Sequence, residues 1–327
     1  MSLYNHCLLC PRRCGVDREA GFRGYCGETS SLRLAFAGIH RGEEPLITGK
    51  GGSGTVFVSG CNLGCAFCQN YQISRGDISN GNIPHEIGRP ASGDEFAEIC
   101  LALQNKGAEN INIVTGSHAA PALALGIKQA QKHGLSIPVL WNSSGYDGLE
   151  ILEILREIVD VYLPDLKTLD SAFATRFFNA PDYPETATTA ILKMMEYREL
   201  HLNETMRSGV MVRHLVIPGY LENTREVLHW FAENCKGRAL LSLMTQYTPV
   251  QASGKKENHR GKDEVTAIPS RYISEEEYET VLSMLDEFGI DDGFCQELIT
   301  GSDWLPDFTR PNPFSSELSV PVWHYMC

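Results

Sequence analysis

The sequence of 327 residues contains no uninterrupted apolar stretch long enough to cross a bilayer, which argues against a membrane-spanning protein. It also lacks a basic excess, because 28 Lys and Arg stand against 41 Asp and Glu, a formal net charge of −13. Proteins that bind nucleic acid or anionic lipid usually carry a basic patch, so we expect neither partner. Residues 1–15 contain no apolar segment typical of a signal peptide, and we expect a cytoplasmic protein.

Cysteine, in contrast, is abundant, with eleven copies. Disulfides are disfavoured in the cytoplasm, so clustered cysteines in such a protein indicate metal binding. Seven of the eleven precede residue 70 and form two groups. The other four are isolated, and we expect structural roles for them: Cys100, which lies in a predicted helix, Cys235, Cys295 and Cys327.

The second cysteine group lies in residues 60–70, which read GCNLGCAFCQN. Cys61, Cys65 and Cys68 have C-x3-C-x2-C spacing and follow a β-branched and aromatic run, so the loop comes directly after a predicted strand. Four thiolates would complete a zinc or cubane site, whereas three leave one iron of a [4Fe–4S] cluster without a protein ligand. The amino and carboxylate groups of S-adenosylmethionine (SAM) can chelate such an iron. The alternatives are buried structural cysteines or three of four zinc ligands.

The first cysteine group lies in a loop-rich stretch and has the spacing C-x2-C-x3-C-x11-C, formed by Cys7, Cys10, Cys14 and Cys26. Such a stretch cannot bury much apolar area, so it needs a cross-link, which four thiolates can supply. Zinc and an auxiliary [4Fe–4S] cluster both fit this spacing, and an unmetallated loop is the alternative. The neighbouring arginines either offset thiolate charge or form a solvated face: Arg12, Arg13, Arg18 and Arg23.

Strands and helices alternate after the cysteine groups, a pattern typical of a parallel sheet with covering helices. A short strand pair is expected within 31–48, and strands are predicted at 55–60, 111–116, 138–145, 161–167, 210–219 and 239–247. Helices are predicted at 93–106, with Ser92 as the cap, and at 120–133, 149–159, 185–202, 222–235 and 274–289, with a polar loop at 251–270.

The predicted fold is α/β, an open partial (β/α)6 barrel, because six β/α units are too few to close an eight-stranded barrel. We divide the chain into a cysteine-rich metal-binding appendage, 1–48, and a barrel core with a C-terminal helix, 49–327. Ligands of such folds collect at the carboxyl ends of the strands. Polar residues occur there in several successive units, at Gly116 to His118, Asn142, Asp165, Lys167, Arg213 and Gln246.

The cluster loop resembles that of the radical SAM superfamily, in which an aromatic residue precedes the last cysteine, as Phe67 does here. The order of elements over roughly 49–250 is similar to that of the glycyl-radical-enzyme activating enzymes, the pyruvate formate-lyase activase group. The resemblance implies that Lys167 contacts the SAM carboxylate and that Asp165 lies near its amino group. It also implies that Arg213 faces the methionine end.

The same resemblance places Asn142 where the family has a ribose-contacting Asp and assigns Gln246 to the cofactor site. The family has Gly-Gly-Glu after its second strand, and its backbone binds the SAM amino group. Here Thr115-Gly116-Ser117-His118 follows that strand, so a backbone role for Gly116 and Ser117 is retained and a glutamate side-chain role is not. His118 is either an acid, base or substrate contact, or a helix-start residue without chemistry.

The N-terminal cysteine segment differs from the two-cluster ferredoxin insert of some activases and looks like an uncharacterised activase-like branch. The resemblance implies reductive cleavage of SAM to methionine and a 5′-deoxyadenosyl radical, with an electron donor of the flavodoxin or ferredoxin type. A glycine of a glycyl radical enzyme is the candidate substrate, and another peptide or a small molecule is the alternative. Two other classes stay open, an iron–sulfur electron-transfer protein and a zinc-stabilised binding scaffold.

Overall fold

The computed structural model describes residues 2–74, 87–250 and 268–327. Most of the predicted polar loop, 251–270, therefore lies outside the described residues. No helix in these three ranges has both the length and the apolar character that a bilayer crossing requires.

The strands of the described residues pair into a sheet with a largely parallel centre. In chain order they are β1 Arg33–His40, β2 Ser53–Val58, β3 Arg89–Pro90, β4 Ile111–Val114, β5 Val139–Ser143, β6 Val161–Pro164, β7 His201–Leu202, β8 Met206–Leu215, β9 Leu240–Met244, β10 Gly293–Cys295 and β11 Ser319–His324. The helices are α1 Pro45–Thr48, α2 Tyr71–Ser74, α3 Gly93–Asn105, α4 Ala120–Lys132, α5 Leu149–Leu155, α6 Ser171–Phe178, α7 Tyr183–Tyr197, α8 Leu221–Asn234 and α9 Glu275–Glu287.

Six parallel strands, β2, β4, β5, β6, β8 and β9, lie side by side in chain order. β10 extends this row in parallel at one end, while β1 and β11 add antiparallel strands at the other. The strand order begins with β10 and ends with β11, so the sheet does not close on itself. The predicted open partial (β/α)6 barrel is thereby confirmed.

Local sequence signals account for the helix starts. The Ser92 hydroxyl accepts the Glu95 N–H at 3.1 Å, which fixes the first turn of α3. Ser274 and Glu277 form a capping box, in which each side chain accepts the backbone N–H of the other residue, and α9 begins there as predicted. Cys100 is completely buried in α3, which confirms the structural role expected for it.

The expected strand pair within 31–48 is wrong in its second member. Residues from Pro45 form the short helix α1, and β1 pairs instead with β2 and β11. Pro45 explains the difference, because it has no N–H for a strand ladder and its fixed φ suits the first turn of a helix. Since β1 belongs to the predicted segment 1–48 and pairs with β2, the two predicted parts of the chain share one sheet, and their division stays a prediction.

Three apolar clusters pack on the sheet. The largest lies between the sheet and the helices and includes Trp141 and Tyr162, both fully buried. A second lies on the inner face of the barrel, where Ile47 of α1 packs against side chains of β5, β6, β8 and β9. A third joins side chains of β1, β2 and β4 with Phe308. Burial of each such aliphatic side chain contributes roughly 1.5–3 kcal/mol, so α1 is held firmly against the strands.

Candidate functional site

The cluster loop, residues 60–70, follows β2 directly and is braced by its own backbone. The N–H groups of Leu63 and Gly64 lie 3.3 and 3.4 Å from the Cys61 sulfur and donate to it. Cys61 is buried, and Cys65 and Cys68 are partly buried. Hydrogen bonds to sulfur stabilise a thiolate and tune iron–sulfur clusters, so this loop suits a metal-bound thiolate.

Phe67 anchors the loop in an aromatic cluster. Its ring centroid lies 5.8 Å from those of both Phe177 and Phe178 on α6, in edge-to-face arrangement. The N–H of Ala66 donates to the Phe177 carbonyl at 2.9 Å. Helix α6 was not among the predicted helices, although Asp170 caps it by accepting the N–H of Ala172. The loop geometry thus depends on a helix more than 100 residues away in the chain.

Asp165 and Lys167 form a close ion pair beyond the end of β6. The Lys167 Nζ atom lies 2.6 Å from Asp165 Oδ2, and the two side chains are 15% and 21% exposed. Burial alone would lower the pKa of Lys167, but the Asp165 carboxylate, the Cys65 thiol and Tyr183 together raise it above its usual value. The structure therefore places a charged ammonium beside the cluster loop.

Burial and the adjacent thiols raise the pKa of Cys65 to about 12, although Lys167 counteracts this. The same effects raise the pKa of Cys68 to about 11, with Cys61 among the causes. The three thiols are therefore close neighbours, and free thiolates at this position would be strongly disfavoured. Coordination to iron supplies the positive charge that such buried thiolates need.

The segment after β4 has a strained backbone. Thr115 adopts φ of +63°, a conformation that β-branched residues rarely take, and its N–H donates to the Asn142 carbonyl at 2.9 Å. A Cβ atom on Gly116 would lie 2.6 Å from the Trp141 ring, so only glycine fits there. Such strain costs about 1–3 kcal/mol and is common at binding sites, where it orients backbone groups.

Ser117 and His118 are both buried. Ser117 lies near the buried carboxyl of Asp147, which accepts from the Ser143 hydroxyl at 2.5 Å. The His118 Nε2 atom lies 2.8 Å from the Ser59 carbonyl, one residue before the cluster loop begins. The geometry gives the His118 ring a positioning contact at the start of the loop, and the catalytic role considered for it stays a prediction.

Arg213, on β8, is engaged by two carboxylates that sequence analysis missed. Its Nε and Nη2 atoms lie 2.9 and 2.5 Å from the two carboxyl oxygens of Glu44, and Nη2 lies 2.6 Å from Glu43. Both glutamates belong to the turn before α1 that was expected to be a strand. Burial opposes the charge of Arg213, but these carboxylates raise its pKa overall. Its predicted contact with SAM stays a prediction.

Asn142 and Gln246 lie at the same edge. Asn142 is opposite Leu163 in the parallel register and partly exposed, so it shares the inner face of the barrel. The Gln246 side-chain oxygen accepts from Gln296 at 3.0 Å, and its carbonyl accepts from Gln69 of the cluster loop at 3.0 Å. The structure therefore brings both predicted residues to the cluster-loop end of the barrel.

The N-terminal cysteine segment packs against the cluster loop. The Cys61 N–H donates to the Cys26 carbonyl at 3.4 Å. Arg12 donates to the carbonyls of Asn62 and Leu63 at 2.8 and 3.0 Å. The four predicted arginines therefore differ in their surroundings. Arg12 donates to the cluster loop and Arg18 donates to the His118 carbonyl, whereas Arg13 and Arg23 are exposed.

Within the three described ranges, no group of three or more His, Cys, Asp or Glu side chains is arranged to hold a single metal ion. The ligands of a cubane cluster bind separate irons and need not meet at one point. The three thiols of the cluster loop, their N–H donors and the nearby ammonium fit an iron–sulfur centre with an anionic ligand at its open iron.

An uncharacterized protein of Methanocaldococcus jannaschii is 28% identical over 290 residues, covering 89% of this chain and 77% of that protein. SuiB of Streptococcus suis, in a crystal structure with SAM, has 14% identity and a TM-score of 0.48, covering 72% of this chain and 48% of SuiB.

A domain of a pyruvate-formate lyase-activating enzyme from Bacteroides vulgatus has 16% identity and a TM-score of 0.37, covering 54% of this chain and 91% of that domain. The chain spans about half of the length of SuiB, and neither structural likeness is close enough to bear on activity. The model of the Radical SAM superfamily matches residues 55–231, more than half of the chain. The chain therefore belongs to the radical SAM superfamily.

Proposed function

We propose that Cys61, Cys65 and Cys68 hold the [4Fe–4S] cluster of this radical SAM enzyme and that SAM binds at its open iron. The observation that supports this most directly is the ion pair of Lys167 and Asp165 beside the three thiols. The chemistry that these cofactors supply when bound is reductive cleavage of the sulfonium, which yields methionine and a 5′-deoxyadenosyl radical for hydrogen abstraction.

In this proposal the amino-acid end of SAM is held by the carboxyl ends of the strands. Lys167 offers a charged donor for the carboxylate, and Asp165 an acceptor for the amino group. The backbone from Thr115, which has a positive φ, to Ser117 contributes further groups for the amino end. Asn142 on the neighbouring strand binds a ribose hydroxyl. Gln246 and Arg213 complete the cofactor site from β9 and β8.

The barrel also keeps water away from this site. Ile47 of α1 packs on the inner face, and Arg213 is buried in ion pairs with the two glutamates that precede α1. On the β2 side, Phe308 is fully buried and packs on Phe57 at a centroid distance of 5.2 Å. A dry site protects a reactive radical from side reactions.

For the substrate, we propose a glycine of a glycyl radical enzyme, with another peptide or a small molecule as the alternative. The support is the activase-like order of the strand-end residues, in particular Asp165 and Lys167. The reductant in this proposal is a flavodoxin- or ferredoxin-type donor.

The test is anaerobic reconstitution with iron and sulfide, followed by reduction with dithionite in the presence of SAM and measurement of 5′-deoxyadenosine. Cys65→Ala should abolish the product, whereas Cys327→Ala, which changes an exposed cysteine outside the site, should not. Full cleavage by Cys65→Ala with an intact cluster signal would refute the assignment. Addition of pyruvate formate-lyase should produce a glycyl radical signal, and cleavage without that signal would refute the glycyl substrate for this partner alone.

A further inference from the structure

We propose that Cys7, Cys10, Cys14 and Cys26 bind a second iron–sulfur cluster that lies directly against the loop carrying Cys61. This site goes beyond the proposed SAM chemistry, because its metal content does not depend on SAM cleavage.

Backbone turns bring the four cysteines together. Cys7 exchanges two hydrogen bonds with the chain eight to nine residues later, since its N–H donates to Val16 at 3.0 Å and its carbonyl accepts from Gly15 at 2.9 Å. The Cys10 carbonyl accepts the Arg13 N–H at 2.9 Å. The Tyr25 N–H donates to the Cys14 sulfur at 3.2 Å, which places the following residue, Cys26, beside the turn.

The packing of these cysteines is unusual for so irregular a segment. Cys7, Cys10 and Cys26 are buried and Cys14 is partly buried, although residues 2–32 form no helix or strand. The four thiols are not joined in disulfides. A segment without regular structure buries little apolar surface of its own, so a bound metal centre is the cross-link that accounts for its order.

The positive charge around the thiols is compatible with a negatively charged metal centre. Arg18 is 2% exposed, and its guanidinium donates to the carbonyls of Thr29 and His118 at 2.6 and 2.8 Å, with the Cys7 sulfur at 3.7 Å. The Arg12 guanidinium lies 3.8 Å from the centre of the Tyr25 ring. Among the described residues, the buried carboxyl of Glu28 interacts electrostatically with Arg18.

Buried cations of this kind are costly unless a negative group is near. Four thiolates bound to an iron–sulfur core carry a net negative charge and lie where the Arg18 guanidinium already reaches a sulfur. The metal centre would therefore add negative charge beside Arg18, whose charge the buried carboxyl of Glu28 also offsets in part.

Of the two metal centres that four thiolates can hold, we assign an iron–sulfur cluster rather than zinc to these thiols. Structural zinc needs four ligands at about 2.0–2.3 Å from one point. No such convergence of three or more ligands occurs in residues 2–74, 87–250 or 268–327. The same holds for Cys61, Cys65 and Cys68, which the proposed function assigns to a cubane cluster. Because each ligand of a cubane binds its own iron, its thiolates need not converge on one point, and a cluster is compatible with both groups.

The two cysteine groups are in direct contact. The Cys61 N–H donates to the Cys26 carbonyl at 3.4 Å, and a Cβ atom on Gly60 would lie 3.1 Å from the same oxygen. Arg12 donates to the Asn62 carbonyl at 2.8 Å. Two clusters at these positions are close enough for their unpaired electrons to interact when both are reduced.

The metal content is tested in the full chain carrying Cys61→Ala, Cys65→Ala and Cys68→Ala, reconstituted anaerobically with iron and sulfide. About four irons and four sulfides per chain should remain, with an electron paramagnetic resonance (EPR) signal after reduction by dithionite. A variant that keeps its circular dichroism spectrum but binds no iron, or binds one zinc and no iron, would overturn the proposal.

The complementary variant is Cys14→Ser, which changes the partly exposed member of the set, with Cys327→Ser as the control. Cys14→Ser should lose the N-terminal signal and keep the SAM-cluster signal, whereas Cys327→Ser should keep both. The reduced parent should show an EPR spectrum broadened relative to the sum of the two single-cluster variants. A spectrum equal to that sum would refute the contact between the clusters. These measurements require no SAM cleavage, so their failure and the failure of the proposed function are distinguishable.

Discussion

Replacing Lys167 by methionine is expected to weaken SAM binding while leaving all cluster cysteines in place. Methionine retains most of the apolar stem and removes the ammonium. In the free protein that ammonium is 2.6 Å from Asp165, and its pKa is raised, so it is charged and available to a carboxylate. A hydrogen bond to a charged group is worth about 1.5–3 kcal/mol, so affinity for SAM should fall roughly ten- to over a hundredfold.

The same change has a second, structural effect. Lys167→Met leaves the Asp165 carboxylate, which is 21% exposed, without its ion-pair partner. Breaking a fully buried pair costs about 3–5 kcal/mol, and this pair is partly hydrated, so we expect a loss of about 1–3 kcal/mol in the free energy of unfolding. The double variant Asp165→Asn with Lys167→Met should regain most of that stability and none of the affinity contributed by the ammonium.

The assay is titration of each anaerobically reconstituted variant with SAM, together with urea unfolding. Lys193→Met is the matched control, since its Nζ atom lies 2.7 Å from Glu196 in a surface pair. Lys167→Arg should restore binding only in part, because a planar guanidinium fork differs in geometry from an ammonium. Parental SAM affinity in Lys167→Met, or full recovery of affinity in the double variant, would refute a direct contact between the ammonium and SAM.

Three further predictions concern side-chain hydrogen bonds and ion pairs formed by Arg12, Arg213 and Glu277. Arg12→Met should lower the free energy of unfolding by about 2–4 kcal/mol, because its hydrogen bonds to four carbonyls are lost. The control Arg13→Met changes an exposed side chain and should lower the free energy of unfolding by less than about 1 kcal/mol. Equal losses in urea unfolding would contradict this. Arg213→Met should lower the free energy of unfolding by about 3–5 kcal/mol, since two buried carboxylates would lose their cation. A variant as stable as the parent in urea unfolding would show that these ion pairs do not hold α1 in place. The hydrogen bonds of the Arg271 guanidinium lower the pKa of Glu277 from 4.5 to about 2. The ionised Glu277 therefore stabilises the folded state above pH 4.5, and this stabilisation is lost as the pH falls towards 2. Glu277→Gln should lower the free energy of unfolding by about 1–3 kcal/mol at pH 7 and make it less dependent on pH between 2 and 4.5. The control Glu276→Gln, on the exposed face of α9, should change neither quantity.

Features that depend on neighbouring residues could be predicted from the sequence. The spacing of Cys61, Cys65 and Cys68 indicated a three-thiolate loop, and alternating strand and helix patterns indicated an open barrel. Ser92 and Ser274 marked two helix starts correctly. Each of these signals arises from hydrogen bonds and burial within a few residues, so the linear pattern records them directly.

The partners of the charged residues required the tertiary structure. Glu44, which engages Arg213, is 169 residues away in the chain, and the Phe178 carbonyl that accepts from Arg12 is 166 residues away. Periodicity shows which face of an element is buried, and says nothing about which charged groups meet across a barrel or at its ends. These contacts depend on the backbone conformation of the turn before α1 and of the irregular N-terminal segment, and neither stretch has a repeating sequence pattern. The cysteine spacing and the alternation of strands and helices were therefore visible in the sequence itself, while the cation pairing and the contact between the two cysteine groups were decided only by the packed fold.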